Sequence, residues 1–392
     1  MKILLSTLMI FSLTEICAQS VRTGTTYNAV LFPQGFGIEQ LNSEGTSAVL
    51  NNAANINAMN PAAISSFEKP SIGFTYQFQT KIPDAFSFGA GLSRAYNYIP
   101  QSVGGIYQMG QLYFGLGFGQ RYNGSTIWGP IPVTTMEQPD GTGEYITYTS
   151  SQMLQYYSFI SAYNFKNFFN ENSELSVGIK FSLNRFSLHD ELQSFSSEGT
   201  FLGWNFEAGI RYNYMFSDEQ NLSLGICYTP RQEMTDQLSY NNGETFVTNQ
   251  DTVRSPTFYS FQGISTTVKF PAQMNFDLIY QHSSAFKIAG SLKYISWSDI
   301  NSNINNQPEY SMSFIFSPNN SFTASAGFNY SDYTYKIDIY NVTNQMDALY
   351  LTAGTSFSIG FIDIDIALAD SHLFSGTNRK QTIGKIGFGY SF

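Results

Sequence analysis

Apolar side chains recur at every second position through most of this chain. In one segment Leu175, Val177, Ile179, Phe181 and Leu183 alternate with Ser176, Gly178, Lys180, Ser182 and Asn184. In the next, Leu202, Trp204, Phe206, Ala208, Ile210, Tyr212 and Tyr214 alternate with Gly203, Asn205, Glu207, Gly209, Arg211 and Asn213. A period of two belongs to a β-strand whose faces meet different surroundings. The pattern returns around Leu222–Tyr228, Met274–Tyr280, Ile288–Tyr294, Met312–Phe316, Phe322–Phe328, Leu349–Ile359 and Ile362–Leu368. Such strands fit either a soluble sandwich or a membrane barrel with lipid outside and a polar lumen inside.

Composition favours the barrel. Only 12% of the 392 residues are charged, about half the share usual in soluble proteins. Aromatic residues make up 16% and there are 32 glycines, which favours strands and tight turns. The net charge of −10 and the absence of any basic run argue against nucleic acid as a partner. Beyond Leu13 no apolar run approaches the roughly 20 residues of a spanning helix. Any membrane crossing is therefore made by strands.

Lys2, the apolar stretch through Leu13 and the Cys17-Ala18-Gln19 ending predict a signal peptide over residues 1–18, cleaved after Ala18. Glu15 and Ile16 stand where a lipoprotein signal wants other residues. Cleavage leaves Cys227 as the sole cysteine, expected to be a small packed residue with no disulfide.

The connections alternate between short and long, as bacterial outer-membrane barrels require. Short turns are expected at residues 109–111, 167–173, 217–221, 282–285, 317–321 and near Gly360. Long outer loops are expected at residues 81–95, 123–150, 189–201, 231–269, 299–308, 331–347 and 370–381. The result is an all-β, transmembrane antiparallel β-barrel of about 14 strands over residues 71–392, with both termini periplasmic. Its last strand carries Ile386, Phe388, Tyr390 and Phe392 on one face. The aromatics Phe388, Tyr390 and Phe392 resemble the signal read by the outer-membrane insertion machinery. Residues 19–70 lack alternation and hold an Ala- and Asn-rich stretch, suited to short helical turns tucked in the lumen as an N-terminal hatch, or to a disordered periplasmic tail.

Two patches resemble the FadL-type outer-membrane transporters of long-chain fatty acids and aromatic hydrocarbons. One is Asn60-Pro61-Ala62, just ahead of the first strand, where that family's hatch ends in the same tripeptide. The other runs from Phe270-Pro271-Ala272-Gln273-Met274-Asn275-Phe276-Asp277 to Trp297-Ser298-Asp299. The resemblance implies a plugged barrel in the outer membrane of a Gram-negative bacterium. It also implies passive uptake of small hydrophobic molecules past the hatch, with lateral exit through a kinked third strand into outer-membrane lipid. No catalysis and no cofactor are implied.

In the third strand, Gly115, Gly117 and Gly119 permit a bend at a lateral opening, or simply make room for the hatch. Among lumen-phase charges, Arg211, Lys180 and Lys293 are candidates to receive a ligand carboxylate. The alternative is that these groups, with Glu207, Asp277, Lys287, Asp363, Asp365 and Lys385, pair across the lumen or hold the hatch. Outer aromatics including Tyr156, Tyr157 and Phe261 either collect an apolar ligand or form an interfacial girdle. His189, His282 and His372 fall in expected turns or loops, with neither a nucleophile arrangement nor metal-ligand spacing. A second functional reading is a non-transporting barrel that scaffolds a secretion or surface-assembly complex through its long loops.

Overall fold

The computed structural model describes residues 52–56, 60–79, 97–132, 145–192, 195–242, 247–248, 251–252, 261–300, 306–331, 348–374 and 382–392. The expected signal peptide, the rest of the N-terminal segment and the first outer loop lie outside the described residues.

The strands follow the alternation. They are β1 (Ser71–Gln79), β2 (Asn97–Met109), β3 (Leu112–Pro132), β4 (Tyr145–Lys166), β5 (Ser173–Leu192), β6 (Phe195–Met215), β7 (Asn221–Thr229), β8 (Gln232–Asn242), β9 (Val247–Thr248), β10 (Asp251–Thr252), β11 (Phe261–Phe270), β12 (Gln273–Ser283), β13 (Phe286–Ile295), β14 (Gln307–Asn319), β15 (Phe322–Ser331), β16 (Ala348–Ile359), β17 (Ile362–Asp370) and β18 (Thr382–Ser391). All but the small β9–β10 hairpin join one antiparallel sheet of 16 ladder segments. Because β7 runs on into β8, and β11 into β12, the wall has 14 strands. It closes where β1 pairs with β18, Ser71 opposite Ser391 and Gln79 opposite Ile383. Closure leaves no long edge to template aggregation.

Burial follows phase. On β5 the side chains of Ser176, Lys180, Ser182 and Asn184 are buried, whereas Val177, Ile179 and Phe181 are exposed. A polar inside and an apolar outside define the lumen and the lipid face. The six short turns expected from the sequence all lie at one end, whereas β5 and β6 are joined by a short connection at the other. In those six turns Gly110 and Gly360 take positive φ, +64° and +66°, which a side chain would resist. Phe165, Phe168, Phe169 and Tyr212 form an edge-to-face aromatic run at the same end, with Tyr214 and Phe216 as a second edge-to-face pair, as expected of an interfacial girdle. On the opposite side Tyr157 faces outward, but Tyr156 is a lumen residue, 2% exposed.

The outer half departs from the sequence expectation. Much of residues 123–150, 189–201 and 231–269 is strand, not loop. β3 to β6 run for 21, 22, 20 and 21 residues, about twice what a tilted strand needs to span a bilayer. Their outer halves stand clear of lipid. On β5, beyond Arg185, the lumen phase turns apolar at Phe186 and Leu188, which hides the strand from a reader seeking apolar-out alternation.

Candidate functional site

Two 3-10 turns of the N-terminal segment lie inside the barrel, Ala53–Asn55 and Pro61–Ser66. An asparagine starts each, and each works in two directions. The Asn52 side-chain oxygen accepts from the Ala54 N–H at 3.0 Å, while its Nδ2 donates to Asp365 on β17 at 2.9 Å. The Asn60 oxygen accepts from the Ala62 N–H at 3.0 Å, while its Nδ2 donates to the carbonyls of Ile210 on β6 and Ile226 on β7, both at 3.1 Å. An amide, unlike a carboxylate, supplies both an acceptor for the helical cap and donors for the wall. Pro61 sits at the first helical position, where its missing N–H costs nothing. Asn60-Pro61-Ala62 is thus a cap, a helix starter and the donor N–H that meets the cap.

Such close approach needs wall positions without side chains. A Cβ on Gly209 would stand 1.9 Å from Asn60 Oδ1, on Gly178 2.4 Å from the Pro61 carbonyl carbon, and on Gly73 2.0 Å from Asn52 Oδ1. Glycine in a strand often marks such a backbone approach. Elsewhere Lys385 Nζ donates to Asn55 at 2.6 Å, and Ser65 bonds Ser176 at 2.7 Å. Ile56, Ile64, Phe67, Tyr113 and Ile160 close an apolar contact between segment and wall.

The lumen-phase candidates separate on their partners. Lys180 pairs with Glu207 at 2.5 Å, and both are nearly fully buried. Cys227 is buried beside them, with its thiol directed at Glu207. Lys293 pairs with Glu309 at 3.5 Å. Arg211 donates through Nε to Ser223 at 2.9 Å, and its Nη1 has no hydrogen-bond partner among the described residues. Gly115, Gly117 and Gly119 are laddered on both sides, to β2 and β4. A Cβ on Gly115 would stand 3.3 Å from Ile56 Cδ1, and one on Gly119 2.6 Å from the Tyr156 hydroxyl. At Gly115 and Gly119 the missing side chains clear space for Ile56 and Tyr156.

The sequence reading missed an apolar patch in the outer lumen. Leu154 on β4, Phe186 on β5 and Phe201 on β6 are opposed across successive ladders and all are buried. Met234 on β8 and Val268 on β11 face them, buried at 1% and 0% exposure. The Phe186 ring meets Phe201 at 6.1 Å and Phe270 at 5.8 Å. The signal was present on β5. Outward Leu175 to Leu183 is apolar, but beyond Arg185 the apolar phase moves inward to Phe186 and Leu188. An inverted phase marks a strand that has left the bilayer and lines an apolar interior.

A closed barrel with an apolar belt, a polar lower lumen and an N-terminal segment in contact with it belongs to the transmembrane β-barrels. No family model matches the sequence, and no curated relative is similar to it. In fold, the chain is similar to the toluene transporter TbuX of Ralstonia pickettii, at 14% identity and a TM-score of 0.62 over 92% of this chain and 99% of that one. It is likewise similar to a Pseudomonas aeruginosa FadL homologue, at 11% identity and 0.60 over 92% and 98%. The CymD monoaromatic hydrocarbon channel follows at 14% and 0.57 over 91% and 97%. The FadL-type architecture expected from two short motifs extends over nearly the whole described chain.

Proposed function

We propose that the protein is an outer-membrane transporter that takes up small hydrophobic molecules by passive diffusion. The observation that carries this reading is the apolar patch of Phe186, Phe201, Met234 and Phe270 in the outer lumen, set above the polar belt of Lys180, Glu207 and Asp277. A water-filled pore has no use for buried aromatic rings, whereas an apolar solute gains by leaving water for them. Support comes also from the fold neighbours, described as toluene and monoaromatic hydrocarbon transporters or a FadL homologue. The N-terminal segment acts as a hatch. Its two asparagine anchors hold it across the lower lumen, and the solute passes it or leaves sideways into lipid. Arg211 receives the carboxylate when the solute is a fatty acid.

Purified protein in liposomes tests the proposal. Toluene and oleate are expected to equilibrate faster than in empty vesicles; equal rates would refute it. Arg211→Met is expected to slow oleate several-fold and leave toluene unchanged.

A further inference from the structure

On one arc of the barrel, cationic side chains stand where the strands leave the lipid belt. On β5 the outward side chains Ile179 and Phe181 are exposed, Leu183 follows, and the next outward residue is Arg185, also exposed. On the wall strand made by β7 and β8, exposed Tyr228 is followed by exposed Arg231. On the one made by β11 and β12, Lys269 lies just beyond exposed Met274. These strands are neighbours, in the order β11, β8, β6, β5. Between the cations β6 presents Trp204, 76% exposed and opposite Leu183, a residue type that favours the headgroup boundary. By contrast, Lys180, Arg211, Lys293 and Lys385 are in lumen phase, and Lys69 and Lys166 lie at the end that carries the six turns.

Two of the three cations share one carboxylate. Glu233 is opposite Lys269 in the β8–β11 ladder. Its Oε1 accepts from Arg231 Nη2 and stands 3.7 Å from Lys269 Nζ. Arg231 Nη1 donates to the Asp299 carbonyl at 3.1 Å, which holds the guanidinium against the wall. Arg185 has no carboxylate opposite it, since its ladder partners are Gln155 and Leu202. The side chains of Arg231, Glu233 and Lys269 are 38%, 48% and 35% exposed. Ion pairs so exposed hold weakly in water, and a phosphate that touches two cations at once competes with Glu233 for them.

We propose that this arc seats one molecule of lipopolysaccharide. One phosphate of its sugar head lies between Arg231 and Lys269 and a second at Arg185, and its acyl chains lie over the outward side chains of Trp204, Phe206 and Ile226. Arginine suits phosphate because its planar donors reach two oxygens together. Basic residues clustered at a headgroup boundary mark recognition of an anionic lipid. From β5 to β8 is two strand spacings, roughly 10 Å along the wall. A head with two phosphates on linked sugars spans that gap, whereas a phospholipid brings a single phosphate. The site needs the outer-membrane placement of the reading above and is independent of the solute carried.

Delipidated protein in nonionic detergent, titrated with deep-rough lipopolysaccharide and followed by native mass spectrometry, tests the site. The wild-type protein is expected to retain one molecule, and Arg185→Gln/Arg231→Gln/Lys269→Gln to weaken binding at least ten-fold. Lys69→Gln/Lys166→Gln, at the other end, is expected to leave it unchanged. Dephosphorylated lipopolysaccharide is expected to bind the wild-type protein as weakly as the intact lipid binds the triple variant. Undiminished binding by the triple variant, or of the dephosphorylated lipid, overturns the site, and so does phosphatidylglycerol binding as tightly as lipopolysaccharide. Glu233→Gln removes the competing carboxylate and is expected to tighten binding several-fold; weaker binding would make the trio a brace between strands and overturn the site. A heat-modifiable band checks that each variant is folded. Toluene flux in phosphatidylcholine liposomes, which hold no lipopolysaccharide, separates this site from transport. Flux without lipid retention removes the site and leaves the transporter, and lipid retention without flux does the reverse.

Discussion

Asn60 joins a short helical turn to two wall strands through a single amide. Asn60→Asp keeps the cap acceptor but sets a carboxylate against two carbonyl oxygens. It is expected to release the N-terminal segment as readily as Asn60→Ala, seen as faster limited proteolysis ahead of Ser71. If capping alone mattered, Asp would rescue. Lys180 and Glu207 make the opposite case, since two charges removed from water sustain each other only as a pair. Lys180→Met strands the Glu207 carboxylate and is expected to destabilise the barrel by about 3–5 kcal/mol, with Lys180→Met/Glu207→Leu recovering most of the loss. Urea unfolding in detergent reads both.

At the scale of strands, lipid depth decides what a substitution costs. Ile210 points outward near mid-belt and Leu202 near the outer edge. Ile210→Lys is expected to destabilise by about 2–4 kcal/mol and Leu202→Lys by about 0–1 kcal/mol, in a vesicle refolding titration. The same geometry explains what the sequence disclosed. Within the belt, alternation is enforced by lipid on one side and by the lumen on the other, so the lower halves of β5 and β6 and the turns at Gly110 and Gly360 could be placed from residue types alone. Above Arg185 water replaces lipid, the phase inverts, and the outer strands passed for loops. The segment's anchor was legible as a motif at Asn60-Pro61-Ala62. Its counterpart over Asn52–Asn55 was not, because Asp365, the partner of Asn52, and Lys385, the partner of Asn55, lie over 300 residues away. The glycines of β3 allowed two readings, and their clearance from Ile56 and Tyr156 favours the steric one at those positions.

For the whole molecule, the wall and the N-terminal segment make separable contributions. Fourteen strands with a closed ladder are expected to fold without residues 19–67, and the truncated protein should migrate as a compact, heat-modifiable band. Planar bilayers containing it are expected to show ion conductance that the full chain lacks; a silent truncated barrel would argue against a hatch. The Asn52 anchor carries one more consequence. The turn it starts reaches β1 and β2 through the glycine wells at Gly73, which faces Asn52, and Gly104, which faces Ala53, and β17 and β18 through the Asn52–Asp365 and Asn55–Lys385 bonds, so it straddles the junction of the first-made strand with the last. Asp365 and Lys385 are near the end of translation, and the pocket they complete does not exist until β18 meets β1. Docking of this segment is therefore a report that the circle has closed, and a chain stalled one hairpin short would have nowhere to put it.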